Sequence, residues 1–365
     1  YMLGFTPGFT FCGGLGDDLA TPRIKDPRLK VPAGSVGIAG KQTGVYAISS
    51  PGGWQLVGRT TMRFYNPELE PPCPVKAGDY LRFVPISAEE FEKHRNEVEA
   101  ADSPPDYSNW EPEGDPVFNV VTPGALSSIQ DRGRYGYQEL GISASGAMDE
   151  LAFRLANRIV GNDDNAPALE ITMIGPRLEV VRETLVAVTG ADLSFAVNGE
   201  AAPLYTAIKL NPGDVITFGA IKSGMRSYIA INGGISVPIV MGSASTGLKG
   251  QIGGYKGRKL EKGDVLKSKA KSIPEIFVGY SVDPGEFMFG AQDGVYRVIL
   301  GPEDDYFTEK GIETFFNSEY SLSDNCDRMG ARLDGPEIEH NDKGAGIVSD
   351  GITMGAIQVP AQGYP

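Results

Sequence analysis

Histidine and cysteine are scarce in this sequence, and long apolar runs are missing. Only His94 and His340 occur among 365 residues, far apart in the chain. Zinc sites and His-based triads draw on imidazole, so both classes lose most of their support, and no metal site is expected. Cys12, Cys73 and Cys326 form no CxxC pair, and their number is odd. That argues against a disulfide scaffold and for a reducing compartment, the cytoplasm. No apolar run reaches the length that crosses a bilayer. Residues 1–9 lack the basic start of a signal peptide, and the chain opens mid-strand at Tyr1, as a fragment would. Basic residues are in deficit too: 33 Lys and Arg against 47 Asp and Glu give a net charge of −14. A nucleic-acid partner or an anionic lipid surface needs the opposite sign, so neither is expected.

What is present is a globular chain, 41% hydrophobic and turn-rich, with 48 glycines and 26 prolines. Three blocks follow one another. Residues 1–86 alternate short apolar runs such as SVGIAG and YLRFVPI with Gly and Pro, the texture of short strands. Residues 87–117 are an acidic, Pro-rich linker with a short helix, for which Ser87 is the natural N-cap. Up to residue 115 this block holds ten acids against Lys93 and Arg95, so most of the net charge belongs to the linker and says little about substrate. Residues 118–365 return to β texture, in two β subdomains. In this block TLVAVTG and SYIAING are strand-like, and MDELAFRLANRIVG is a helix capped by Ser145 or Asp149 and stopped by Gly161. Its apolar positions Leu151, Leu155, Ile159 and Val160 recur at helical spacing, and a weaker helix is expected over 303–317. KAGDYLRF, NPGDVITF and EKGDVLKS share a Gly-Asp turn, either a common β-turn recurring by chance or a mark of related β-barrel units. The class is mainly β with some α.

No phosphate loop is read at 31–44, where Ser35 stands at the first Gly position and Gln42 follows Lys41. The segment 41–54 gathers Gln42, Thr43, Tyr46, Ser49, Ser50 and Trp54, amide, hydroxyl and aromatic groups that suit a polar planar ligand, or a well-packed turn with Trp54 in the core. The densest polar stretch, 127–150, brings Gln130, Asp131, Arg132 and Arg134 beside Gly133 and Gly136, then Ser145 and Asp149 at a helix start. Residues 233–264 are glycine-rich with Ser243, Ser245, Thr246 and Lys249, an anion nest or a plain β-loop.

These stretches resemble the KipI/KipA family, the B and C subunits of 5-oxoprolinase, which also forms the carboxyltransferase region of urea carboxylase (urea amidolyase). The resemblance is carried in residues 1–86 by GFTPGFTFCGGL, DPRLKVPAGSVGIAGKQTGVY and SPGGWQLVGRT, similar to the C-terminal part of the KipI half. In residues 118–365 it is carried by VVTPGALSSIQDRGRYGYQELGISASGAMDELAFRLANRIVGN, DRMGARLDGPEIE and SDGITMGAIQVP, similar to the KipA half. It implies tandem cyclophilin-like β-barrel domains around a shared cleft. The implied activity is ATP-dependent opening of 5-oxoproline to glutamate. The alternatives are transfer of a carboxyl group from carboxybiotin to urea, and a non-catalytic KipI-type inhibitor of a sensor histidine kinase. Implied partners are the third, A-type subunit of 5-oxoprolinase, which with this chain would use ATP, and a biotin carrier protein. No Met-Lys-Met biotin site is present, so carboxybiotin would arrive in trans and no cofactor is bound covalently. Asp131 or Asp149 is expected to handle a proton and Arg134 to hold a carboxylate. Gln42, Thr43 and Gln130 are expected to meet a planar amide with Ser145 nearby, and Tyr46 or Trp54 to wall it. The sequence departs from the family at both ends, which continue in the family, and at Cys326, where Ser is usual.

Overall fold

The computed structural model describes residues 6–103, 105–286, 296–323, 326, 328, 330–347 and 352–365. Parts of the NCDRMG and VSDG stretches, including Asn325, Asp327, Met329 and 349–351, therefore lie outside the described residues. The chain divides into two compact units, Tyr1–Phe287 and Met288–Pro365. Residues 1–86, the linker and the first part of the third block thus share one unit.

Strands dominate, with three α-helices among the described residues. All pairings are antiparallel. Near the N-terminus a four-stranded sheet runs Thr10–Cys12, Gln42–Val45, Ser35–Ala39, Gln55–Arg59 in spatial order. Beyond the linker, a six-stranded sheet is built around Asp115–Thr122, flanked by Arg177–Val180 and Val265–Ser268. Beside it a five-stranded sheet runs Ile208–Leu210, Thr184–Asp192, Ser223–Ile231, Ala168–Thr172, Leu126–Gln130. Each of these sheets has two distinct edges, so the β content is as expected but no closed barrel is found among the described residues.

The continuous apolar run of Thr184–Asp192 has a simple cause. Side chains alternate across a strand. Val186 and Val188 enter the cluster shared with Phe118, Leu178 and Leu266 of the six-stranded sheet. Leu185 and Ala187 point the other way, onto Phe153, Ala156 and Ile159. Those belong to helix α2 (Glu150–Ile159), following helix α1 of the linker (Ala88–Glu99). The five-stranded sheet is buried on both faces, which demands apolar residues at successive positions. Each large side chain buried there stabilises the fold by about 1.5–3 kcal/mol.

Helix α2 starts where Asp149 accepts a hydrogen bond from the Ala152 N–H at 2.9 Å, and stops at Gly161, whose φ is +77°. Its buried face is carried by Ala152, Phe153, Leu155, Ala156 and Ile159. Leu151, expected on that face, is 40% exposed, because one position of offset rotates it by 100° toward solvent. Ser87 caps α1 through the Glu90 N–H. In the second unit, helix α3 (Glu309–Asn317) begins later than expected, after a 3-10 turn at Asp304–Tyr306, with Thr308 as its cap.

The three Gly-Asp turns share one geometry. Gly78, Gly213 and Gly263 have φ of +95°, +94° and +92°. In each, the aspartate carboxylate accepts from the backbone N–H three residues earlier: Asp79 from Lys76, Asp214 from Asn211, Asp264 from Glu261. The second and third lead into strands Val215–Thr217 and Val265–Ser268; the first leads into irregular chain.

Candidate functional site

The turn after strand Leu126–Gln130 is bolted to the glycine-rich loop 240–247 by three of the expected residues. Asp131 accepts from Ser243 Oγ (2.7 Å), Ser245 Oγ (2.5 Å), Ala244 N–H (2.7 Å) and Gly133 N–H (2.8 Å). The nest of donors expected over 233–264 thus holds a carboxylate of the chain itself. Gln130 accepts from Gly146 N–H and donates to Ser128 Oγ. Arg134 donates from Nε to Val240 O and from Nη2 to Ser245 O, both at 2.9 Å.

Arg134 is fully buried, yet its Nη1 has no hydrogen-bond partner among the described residues. Burial pushes its pKa down, and the Asp131 carboxylate opposes that; a guanidinium still stays charged. A β-carbon placed on Gly247 would lie 3.6 Å from Arg134 Nη1 and 3.4 Å from Ser145 Oγ. Ile252 Cγ1 would stand nearer still, at 3.1 Å, so the missing side chain lets these three groups close around the glycine. Ser145 is held at φ +56°, a strained value for a residue with a side chain, and half-buried.

Two tyrosines complete the cluster. The Tyr65 hydroxyl is buried without a hydrogen-bond partner among the described residues, and burial raises its pKa, with Cys73 adding to this and Arg134 opposing it. Tyr107, from the linker, accepts from Gly253 N–H at 3.1 Å. Burial raises its pKa, against that hydrogen bond and the pull of Arg134. Residues 250–253 thus meet both tyrosine hydroxyls, since a β-carbon on Gly250 would stand 3.1 Å from the Tyr65 oxygen. The same loop walls a cavity of about 350 Å³, with Lys30, Ser49, Ser50 and Asp102 on other sides.

Segments 41–54 and 127–150 meet. Val45, Ala47 and Ile48 share an apolar cluster with Ile142, Tyr65, Ala101 and Ile252, with Tyr137 and Leu140 packed against it. The structure therefore brings together Gln130, Asp131, Arg134 and Ser145. Tyr46 and Trp54 lie elsewhere, in a core cluster with Phe9 at ring separations of 5.0 and 5.6 Å. Gln42 and Thr43 sit half-buried on strand Gln42–Val45, paired with Ala39 and Ile38. Asp149 is exposed and caps α2, its own N–H donated to Tyr228 Oη. Sequence reasoning missed Tyr65, Tyr107 and Asp102, because no local pattern marks a residue whose partners lie 53 to 146 positions away.

Residues 140–365 match the family described as carboxyltransferase domain, subdomain A and B, and residues 1–75 match carboxyltransferase domain, subdomain C and D. The chain is 36% identical over 273 residues to urea amidolyase of Saccharomyces cerevisiae, covering 71% of this chain and 14% of that protein. It is 37% identical over 252 residues to the 5-oxoprolinase C subunit of Escherichia coli, covering 68% of this chain and 78% of that one. With the 5-oxoprolinase B subunit of Bacillus subtilis it shares 53% identity over 97 residues, 27% of this chain and 40% of that one. The crystal structure of TTHA0988 superposes with a TM-score of 0.82 at 32% identity, covering all of this chain and 69% of that one.

Proposed function

Since the chain belongs to the carboxyltransferase-domain family, we propose that it serves as the joined B and C parts of an ATP-dependent 5-oxoprolinase. The observation that carries this is the order of its likenesses. A carboxyltransferase subdomain C and D stretch (residues 1–75) precedes a subdomain A and B stretch (140–365) in one chain, and the likeness to a B subunit has a higher identity than that to a C subunit. A third, A-type partner would complete the reaction. The free thiols Cys12, Cys73 and Cys326 fit a reducing compartment, the cytoplasm.

The chemistry follows from the buried cluster. Opening a lactam develops negative charge on its carbonyl oxygen, and donors aimed there in a dry site are worth most. Arg134 Nη1 and Tyr65 Oη are buried donors without a hydrogen-bond partner among the described residues. Ser145 Oγ lies beside the same glycine, Gly247, as Arg134 Nη1. We assign these three to the substrate amide. Asp131 and Gln130 act as positioning residues, because their hydrogen bonds hold the loop. Asp149 holds α2.

A second reading takes the chain as a carboxyltransferase of the urea amidolyase type, favoured by the 273-residue likeness to that protein. The donor pair fits a carboxyl oxygen as well as an amide oxygen. Carboxybiotin, brought in on another domain or protein, would then supply the carboxyl group. The native protein should be assayed with ATP and its third subunit on 5-oxoproline, and with carboxybiotin on urea. Glutamate formed only with the third subunit present is the expected result; carboxylated urea without glutamate would transfer the assignment to the second reading.

A further inference from the structure

Ser49 already binds a carboxylate, and that carboxylate belongs to the linker. Its N–H donates to Asp102 at 2.5 Å, and its Oγ donates to the second carboxylate oxygen of Asp102. The hydroxyl is set for this task. Its oxygen accepts from Ala33 N–H at 3.3 Å, which leaves its own proton to be given away. Both groups line the cavity of about 350 Å³, where Lys30 and Lys249 add positive charge. Ser50, in the same wall, has a buried hydroxyl without a hydrogen-bond partner among the described residues. Two aligned donors, a spare hydroxyl and lysines are a recognition set for a small carboxylate.

We propose that Ser49 and Ser50 with Lys30 form the subsite for a substrate carboxylate, and that Asp102 is a tethered competitor for it. The carboxylate class rests on Asp102 itself; naming 5-oxoproline as the ligand rests on the function proposed above. A tethered group is present at high effective concentration, yet its bonds are solvent-exposed, so a free carboxylate can displace it. Displacement then frees the Asp102 side chain, while Val98 and Ala101 of the linker stay in the apolar core. The Asp102 carboxylate is in this view a gate on the cavity.

The test measures binding to the native protein by calorimetry, with 5-oxoproline, 2-pyrrolidinone (the same ring without the carboxylate) and acetate. Asp102→Ala is expected to bind 5-oxoproline and acetate roughly five- to tenfold tighter, because the competitor is gone. Affinity for 2-pyrrolidinone stays as it was. Ser49→Ala in the Asp102→Ala background removes the gain. Asp102→Asn, which keeps the size and one acceptor oxygen, gives a smaller gain and guards against loss of folding, checked by thermal melting. A gain for acetate without one for 5-oxoproline keeps the subsite and removes 5-oxoproline as its ligand. Equal affinities in parent and both Asp102 variants, or a matching gain for 2-pyrrolidinone, overturn the proposal.

Discussion

Tyr65 separates stability from activity at a single atom. Its hydroxyl is buried, and among the described residues no hydrogen bond compensates its lost hydration. Such a group destabilises a fold by about 1–3 kcal/mol relative to an apolar replacement. Tyr65→Phe is therefore expected to hold or raise the unfolding free energy while lowering kcat/KM by about 100-fold, the scale of a lost oxyanion donor. Unchanged kcat/KM in this variant removes Tyr65 from the site. Arg134→Ala should fail in both respects, since Val240 O and Ser245 O lose their donor and Asp131 its nearby cation. Cys73 gives a pH prediction. Burial pushes its thiol from 9.0 up to about 12. The folded form keeps a proton that the unfolded form releases above about pH 9, so stability is full below that pH and declines toward pH 12. The slope is up to about 1.4 kcal/mol per pH unit. Denaturant midpoints at pH 8 and 10.5 should fall less in Cys73→Ala than in the parent.

At the scale of the element, two glycines contrast. A β-carbon on Gly213 would meet nothing within 4 Å, so Gly213→Ala suffers only from its φ of +94°, about 1–2 kcal/mol. On Gly190 the added carbon would stand 2.4 Å from the backbone oxygen of Arg226 in the neighbouring strand. Gly190→Ala should cost several times as much, read from urea unfolding, and equal costs would refute that account. Asp149→Ala should lose about 1 kcal/mol of helix capping. The elements were legible where a local rule governs them. Asp149, Ser87 and Gly161 announce helix ends, and TLVAVTG announces a strand. Barrel closure was not legible, because strand order depends on contacts no window contains. The same limit hid Tyr107, whose hydroxyl meets Gly253 across 146 residues, while Asp131 and Arg134 stood out because their turn is compact in sequence. Tyr46 and Trp54 lie beside turn glycines, a setting that looks the same whether rings face a ligand or, as here, Phe9.

At the scale of the whole molecule, the first 86 residues are not an appendage. Ala33, Val45 and Phe64 share one apolar cluster with Val98 of the linker and with Ile142 and Ile252 beyond it. Cutting the linker between 105 and 114 should therefore leave two pieces that co-elute on gel filtration, and their separation would contradict the shared cluster. Among the described residues no helix is long and apolar enough to cross a membrane.

The matched φ values at Gly78, Gly213 and Gly263 have a practical outcome. A glycine φ and an Asp-to-backbone hydrogen bond that agree this closely make the four-residue tracts exchangeable parts. A chimera with the 211–214 tract grafted over 76–79 should melt where its parent does, and such a graft offers a neutral address for a fluorophore or epitope far along the chain from Arg134.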